Sequence, residues 1–164
     1  MRILGIDPGL TVTAFGVVEK HRGRLHLVAS GYARTKSTQP MVERLTAIHT
    51  LLMGALRTHA PDAVSIESIF RHKSSESAIR LGQARGVALL AVGQCGYDPF
   101  EYNPMTIKRT VGSHGRADKQ AVARMVGMLL GSVPDGPADL TDALAIAICH
   151  SMHARQVQLR GAVR

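Results

Sequence analysis

The spacing of the apolar residues first changes at Pro40, and this change indicates a mixed α/β fold. Before Pro40 the apolar residues form short runs or alternate with polar ones, as Leu25 and Leu27 do, which is typical of β-strands. Beyond Pro40 they recur at steps of three and four, beginning with Met41 and Leu45, which is typical of an amphipathic helix. A chain patterned in this way begins with hairpins and continues with helices that cover them.

The same periodicities, interrupted by turn signals such as Asp7-Pro8-Gly9, predict the elements along the chain. Strands are expected at residues 3–6, 11–19, 24–35, 62–67 and 97–102, and helices at 40–59, 74–94, 105–111, 117–130 and 139–153. The first three strands form an antiparallel meander. The whole is a mixed five-stranded sheet with helices on both faces. We expect one α/β domain over residues 1–153 and a basic, disordered tail over residues 154–164.

The charge of the chain favours a polyanionic partner. Twenty Lys and Arg residues oppose twelve Asp and Glu, which gives a net charge of +8 and a pI near 10.2. Such an excess favours nucleic acids or anionic membranes, although a basic protein without a polyanionic partner is the alternative. No apolar stretch of about 18 residues is present, so we expect no membrane association. Cys95 and Cys149 lie far apart in the sequence, and free thiols fit the cytoplasm.

Four carboxylates stand at positions where the pattern predicts burial. Asp7 ends the first strand and Glu67 ends the fourth. Asp139 and Asp142 are three residues apart on the last helix, whose next six residues are all apolar. Individually, Asp7 could be a turn residue, Glu67 a polar strand end and Asp139 a helix N-terminal acid. Together, buried acids need a compensating cation, and a shared divalent metal supplies one.

The oxygen ligands in this set specify the metal and the chemistry. Carboxylates suit Mg²⁺, with Mn²⁺ also plausible. Four of them can hold two ions about 4 Å apart, which activate water and stabilise the leaving oxygen in phosphodiester hydrolysis. By this hypothesis Asp7 bridges both ions, Glu67 lies on one side, and Asp139 and Asp142 lie on the other.

The acidic motifs, taken with two further blocks, resemble the RuvC family, whose fold is RNase H-like. The similar blocks, which span nearly the whole chain in order, are Ile6-Asp7-Pro8-Gly9, Val64-Ser65-Ile66-Glu67, Leu81-Gly82-Gln83-Ala84-Arg85-Gly86, Gly112-x-x-Gly115 followed by Ala117-Asp118-Lys119, and Ala138-Asp139-Leu140-Thr141-Asp142-Ala143-Leu144-Ala145. The resemblance implies a homodimer that resolves four-way DNA junctions by paired nicks, after branch migration by RuvA and RuvB. It also implies that the four acids are catalytic and bind the metal.

The resemblance assigns further residues. Lys108 and Lys119 fall where family members place lysines near the scissile phosphate, and an ammonium there stabilises developing charge. Phe70 matches an aromatic that stacks on a base near the junction centre, which is worth roughly 1–3 kcal/mol. Solvated surface lysines and a core phenylalanine are the alternatives. Apart from the resemblance, several basic side chains could contact DNA phosphates, with a generic surface charge as the alternative for each: Arg71, Lys73, Arg80, Arg109, Arg116 and Arg124.

The long second helix carries Gly82 and Gly86, a spacing that lets two backbones approach closely. The resemblance places this helix at a dimer interface, whereas spacing alone also fits packing on the chain's own sheet. His72 and His114 are interpreted as loop residues without an assigned role. Asp118, Thr106 and Ser74-Ser75 depart from residues common in the family.

Three other functions fit part of the pattern. A sugar-kinase or actin-like ATPase also opens with a strand and Asp-x-Gly, but it needs two such domains. An RNase H-like nuclease of the YqgF type, acting on RNA, shares Ile-Asp-Pro-Gly but lacks the Leu-Gly-Gln-Ala-Arg-Gly helix. A non-catalytic junction-binding protein would have to keep buried carboxylates that cost stability without a metal.

Overall fold

The computed structural model describes residues 1–68, 75–112 and 118–161, with side chains as far as residue 154. Its elements in chain order are β1 (Arg2–Asp7), β2 (Val12–His21), β3 (Arg24–Arg34), α1 (Met41–His59), β4 (Ala63–Glu67), α2 (Ser75–Gln94), β5 (Phe100–Tyr102), α3 (Pro104–Val111), α4 (Lys119–Leu130) and α5 (Ala138–Gly161).

The strands form one sheet in the order β3-β2-β1-β4-β5. β2 pairs antiparallel with both β1 and β3, whereas β4 pairs parallel with both β1 and β5. Arg22 and Gly23 connect β2 to β3 with φ values of 49° and 82°, and a hairpin loop with both residues in the left-handed region follows the twist of its strands. The predicted meander and mixed five-stranded sheet are confirmed.

Helices cover both faces of the sheet, as predicted. Alternate residues of β1 point to opposite sides, so Leu4 and Ile6 enter a core with α1 and α2. Ile3 enters a second core, formed with α3, α4 and α5. In α5 the residues from Ala143 to His150 are all buried, which agrees with the apolar pattern of this helix.

A row of small residues crosses the sheet beneath α5. Gly5 of β1 pairs with Gly16 of β2 and with Ser65 of β4. A Cβ on Gly5 would overlap the carbonyl oxygen of Ala143 and lie 2.6 Å from the amide nitrogen of Ala147. Because Gly5 and Gly16 have no side chain, the backbone of α5 packs directly against the central strands.

Several predicted element boundaries differ from the structure, among them those of β5, β2 and α5. β5 is shorter than residues 97–102, because the amide of Tyr97 donates to the carbonyl of Val92 and so belongs to the end of α2. β2 runs on to His21 because the hairpin turn is tight. α5 continues to Gly161, so the predicted helix end at residue 153 is wrong. The division into a domain and a basic tail remains a prediction.

Within the described ranges, no helix combines the length and the apolar character needed to cross a membrane.

Candidate active site

Two strand ends bring two of the acids to one face of the sheet. Asp7 is the last residue of β1 and Glu67 the last of β4, and these strands are parallel neighbours. Because side chains alternate along a strand, Asp7 lies on the same face as Gly5, and Glu67 on the same face as Ser65. This is the face that α5 covers, so both carboxylates point toward the N-terminal end of α5.

The first turns of α5 complete a pocket of about 330 Å³ at these strand ends. Its polar walls are Asp7, Glu67, Asp142, Lys108 and Lys119, and its apolar walls include Ile107 of α3, Val122 of α4 and Ile146 of α5. Three of the four predicted acids and both predicted lysines therefore share one pocket, although they come from five different elements.

Asp7 carries the strongest electrostatic perturbation in the pocket. Burial, together with the charges of Asp142, Glu67 and Asp139, raises its pKa from 3.8 to about 8, against a lowering by Lys119. Burial also raises the pKa of Glu67, with a further rise from Asp142. The site concentrates more negative charge than its own lysines neutralise, which is the environment that a divalent cation stabilises.

Lys119 is fixed at the start of α4. The carboxylate of Asp118 accepts from the amide of Ala121 at 2.6 Å and caps the helix. The ammonium of Lys119 then donates to Oδ2 of Asp142 at 2.9 Å. That hydrogen bond and the charge of Asp142 raise the pKa of Lys119 and keep it cationic. The short carboxylate of Asp118 suits this position, because aspartate is a good N-cap residue.

Lys108 reaches the pocket from α3. Asn103 caps this short helix by accepting from the amide of Thr106 at 2.8 Å, and Pro104 occupies its first turn. The charge of Lys108 lowers the pKa of Glu67 against the effect of burial. Both lysines therefore lower the pKa of Glu67, and Lys119 in addition donates to Asp142.

Asp139 lies apart from the other three acids. It lines a neighbouring cleft with residues 9–12 of the β1–β2 turn, and its charge still reaches Asp7. Because three residues are slightly less than one helical turn, the side chains of Asp139 and Asp142 point in neighbouring but different directions. The two carboxylates consequently approach Asp7 from two sides.

The donor chemistry of the site fits a divalent metal ion. In the parts of the chain that the structure describes, no three acidic, histidine or cysteine side chains converge into a ready-made metal centre. Mutual repulsion of carboxylates and the hydrogen bond from Lys119 to Asp142 both keep the oxygens apart. The carboxylates nevertheless line one pocket, and a hard cation would draw them together.

The remaining predicted DNA contacts are dispersed. Arg80 is exposed on α2 and forms an ion pair with Glu76 at 2.6 Å. Arg109 of α3 and Arg124 of α4 are exposed and do not line the pocket. The other assignments fall outside the described residues: Phe70, Arg71, Lys73, Arg116, His72 and His114.

The sequence motifs do not include the residues that set the depth of the site. Gly5 and Gly16 allow α5 to approach the sheet, and Ser65 donates to the carbonyl of Ile146 at 3.3 Å. Glycines inside two predicted strands were the available signal, because glycine in a strand marks a close approach of another backbone.

The chain is similar to known proteins over most of its length. Residues 3–150 match the family model of crossover junction endodeoxyribonuclease RuvC. A RuvC from Myxococcus xanthus is 46% identical over 158 residues, covering 94% of this chain and 82% of that protein. One from Desulfitobacterium hafniense is 44% identical, covering 92% of each.

The solved structures give the same result at the level of the fold. A Thermus thermophilus RuvC in complex with a Holliday junction substrate superposes with a TM-score of 0.89 and 36% identity, covering 96% of each chain. A yeast mitochondrial Holliday junction resolvase, 14% identical with a TM-score of 0.66, covers 95% of this chain and 80% of its own, and it shares the fold.

Proposed function

The chain belongs to the RuvC family of crossover junction endodeoxyribonucleases, and from this premise we propose that it resolves four-way DNA junctions by paired, symmetric nicks during recombination and repair. The observation that carries the proposal is the single pocket in which Asp7, Glu67 and Asp142 face Lys108 and Lys119. A phosphodiester is the substrate that such a mixture of carboxylates and ammonium groups suits.

The family is metal-dependent, and we propose Asp7, Glu67, Asp139 and Asp142 as the metal ligands of this chain. Two Mg²⁺ ions, or Mn²⁺ in their place, would supply activation of a water and stabilisation of the leaving oxygen. We propose that the ions share Asp7, and this is supported by the charges of the other three acids, all of which act on Asp7. Asp142 and Asp139 approach from α5, and Glu67 from the neighbouring strand β4.

The two lysines have roles that follow from their positions. We assign Lys119 and Lys108 to the phosphate that is cut, where a cation stabilises the charge that develops on its oxygens. Asp142 holds Lys119 at 2.9 Å and orients its ammonium toward the pocket. The side chains of Ile107, Val122 and Ile146 form the apolar wall of the pocket.

We propose a homodimer formed through the outer face of α2. Ile79 and Leu90 on this helix are 63% and 54% exposed, although its opposite face is buried against α1. A Cβ on Gly82 or Gly86 would meet no atom within 4 Å, so neither glycine is required by packing within the chain. These four residues recur at helical spacing and define an apolar strip, named here the α2 strip. Two sites related by a two-fold axis would cut two strands symmetrically.

Further partners are proposed from the family. Branch migration by RuvA and RuvB would supply the mobile junction, and Phe70 would stack on a base at its centre. Arg71, Lys73, Arg109 and Arg116 would contact its phosphates. Two free cysteines, Cys95 and Cys149, support a cytoplasmic location.

The test is cleavage of synthetic four-way junctions with varied central sequences in Mg²⁺. We expect paired nicks in the junction and none in a linear duplex of the same sequence. An Asp7→Asn protein should bind the junction without cutting it. Tight binding without cutting by the unmodified protein, in Mg²⁺ and Mn²⁺ and with every sequence, would favour a non-catalytic junction-binding protein. Equal cutting of linear DNA or RNA would leave a nuclease that is not a resolvase.

A further inference from the structure

A second cleft adjoins the candidate active site on the other side of the β1–β2 turn. It has a volume of about 470 Å³ and lies between this turn and the first turns of α2. Arg44 of α1 and Arg80 of α2 line it, together with Asp139 and residues 9–12. The cleft therefore shares its boundary with the catalytic carboxylates but brings two guanidinium groups instead of two ammonium groups.

Arg44 is the fixed component of this cleft. Its side chain is buried, with 6% of the residue exposed. Its Nε donates to the hydroxyl of Thr35 at 2.9 Å, and one terminal nitrogen donates to the carbonyl of Leu10 at 3.3 Å. Both acceptors are neutral. Within residues 1–68, 75–112 and 118–154, no carboxylate lies at ion-pair distance from Arg44. A buried guanidinium without an anion is unfavourable, so the cleft fits an anionic ligand.

Arg80 is the adjustable component. It lies on the exposed side of the cleft, and its side chain is paired with Glu76 one turn earlier on α2 at 2.6 Å. Both side chains of this pair are more than half exposed. An exposed pair of this kind is weak, so Arg80 can exchange Glu76 for an anion that offers more oxygens.

We propose that this cleft binds one backbone phosphate of the DNA strand that is cut, next to the scissile phosphate, with Arg44 as a fixed donor and Arg80 as a mobile one. The inference rests on the proposed function. Guanidinium groups match the oxygens of a phosphate, and such contacts fix the register of a strand without reading its sequence. Asp139 also lines the cleft and would repel a phosphate, unless its carboxylate holds a cation as the proposed function assigns.

The experiment replaces single phosphates of a four-way junction with neutral methylphosphonates along the cut strand. Binding is measured in Ca²⁺ for the unmodified dimer and for Arg80→Ala. At one position beside the cut site, we expect the neutral linkage to weaken binding by the unmodified protein about three- to tenfold. The same linkage should weaken Arg80→Ala less than about twofold, because the contact is already lost. Arg57→Ala, at the far end of α1, should give the profile of the unmodified protein.

A second pair of variants tests the exchange with Glu76. Glu76→Gln frees Arg80 and should tighten junction binding about twofold more than Asp98→Asn, which removes one exposed charge beyond the other end of α2. This extra gain in affinity should disappear when the junction carries the methylphosphonate at the position where the neutral linkage weakened binding by the unmodified protein. A gain that persists there, or equal losses for Arg80→Ala and the unmodified protein at every position, would overturn the assignment.

Cleavage of the unmodified junction in Mg²⁺ separates this inference from the proposed function. If the unmodified protein cuts the junction while the scan shows no coupling to Arg80, only the cleft assignment fails. If the unmodified protein neither binds nor cuts the junction, the proposed function fails and the cleft assignment with it.

Discussion

The ammonium of Lys119 lies 2.9 Å from Oδ2 of Asp142, and this contact joins α4 to α5 at the mouth of the pocket. Asp118 caps α4, the helix that Lys119 begins, and Asp142 directly precedes the buried run of α5. Both ends of the contact therefore lie on well-anchored helices. The same ammonium lowers the pKa of Asp7 and of Glu67. One cation thus limits the repulsion among three carboxylates, and it lies beside the pocket in which we propose that the phosphate binds.

The position of Lys119 predicts a loss of rate rather than a loss of fold. Lys119→Met should slow single-turnover junction cleavage about 10²- to 10³-fold, the usual effect of removing one group that stabilises transition-state charge. Junction binding at saturating protein should persist. Lys36→Met, which removes an exposed lysine after β3, is the control and should cut at the unmodified rate. A rate for Lys119→Met within about threefold of this control would contradict the role.

The raised pKa of Asp7 predicts that the metal-free protein loses stability as the pH rises. Well below pH 4 the carboxyl is neutral in both the folded and the unfolded chain, so its burial does not lower the free energy of unfolding through ionisation. Between its unfolded pKa of 3.8 and its folded pKa of about 8, the unfolded chain ionises first, and folding stability falls. Above pH 8 the total decrease in the free energy of unfolding is on the order of 3–6 kcal/mol.

Asp7→Asn removes this dependence and isolates it. In EDTA at pH 8.5, urea unfolding should show that Asp7→Asn is more stable than the unmodified protein, although we expect the variant to be inactive in Mg²⁺. Mg²⁺ should raise the stability of the unmodified protein more at pH 8.5 than at pH 5.5 and should affect Asp7→Asn little. Equal stability of the two proteins across this pH range would show that Asp7 is not buried as an uncompensated acid.

Sequence patterns predicted the order of the elements and the positions of the acids within those elements, because both depend on local signals. The ends of two strands fixed Asp7 and Glu67, and the apolar run of α5 marked Asp142 as an unexpected acid. The pattern did not predict that Asp139 lies in a separate cleft, since the direction of a side chain at the start of a helix depends on how the helix docks. Nor did it reveal Arg44, whose partners Thr35 and Leu10 are far from it in sequence.

The depth of the site depends on glycines that carry no chemistry. A Cβ on Gly16 would lie 2.6 Å from Cδ2 and 2.9 Å from the amide nitrogen of Leu144, so Gly16→Ala must push α5 away from the sheet. We expect a loss of about 1–3 kcal/mol in the free energy of unfolding, with slower cleavage because Asp142 moves with α5. Gly54→Ala on the exposed side of α1 meets no atom within 4 Å and should stabilise by about 0.5–1 kcal/mol. Equal effects of the two changes would refute the packing argument.

The proposed dimer predicts that a charge in the α2 strip uncouples the two nicks. Ile79→Asp places a carboxylate on a face that is 63% exposed in the monomer, so the chain should fold normally while the dimer dissociates. Sedimentation should show a shift from dimer to monomer, and a cruciform plasmid should accumulate singly nicked circles in place of linear product. Met128→Asp on α4, at a residue that is 77% exposed and outside the strip, is the matched control and should remain dimeric with paired cutting. If Ile79→Asp stays dimeric, the two subunits associate through another surface. If the unmodified protein is already monomeric, the two sites act singly. In either case the α2 strip is not the dimer interface.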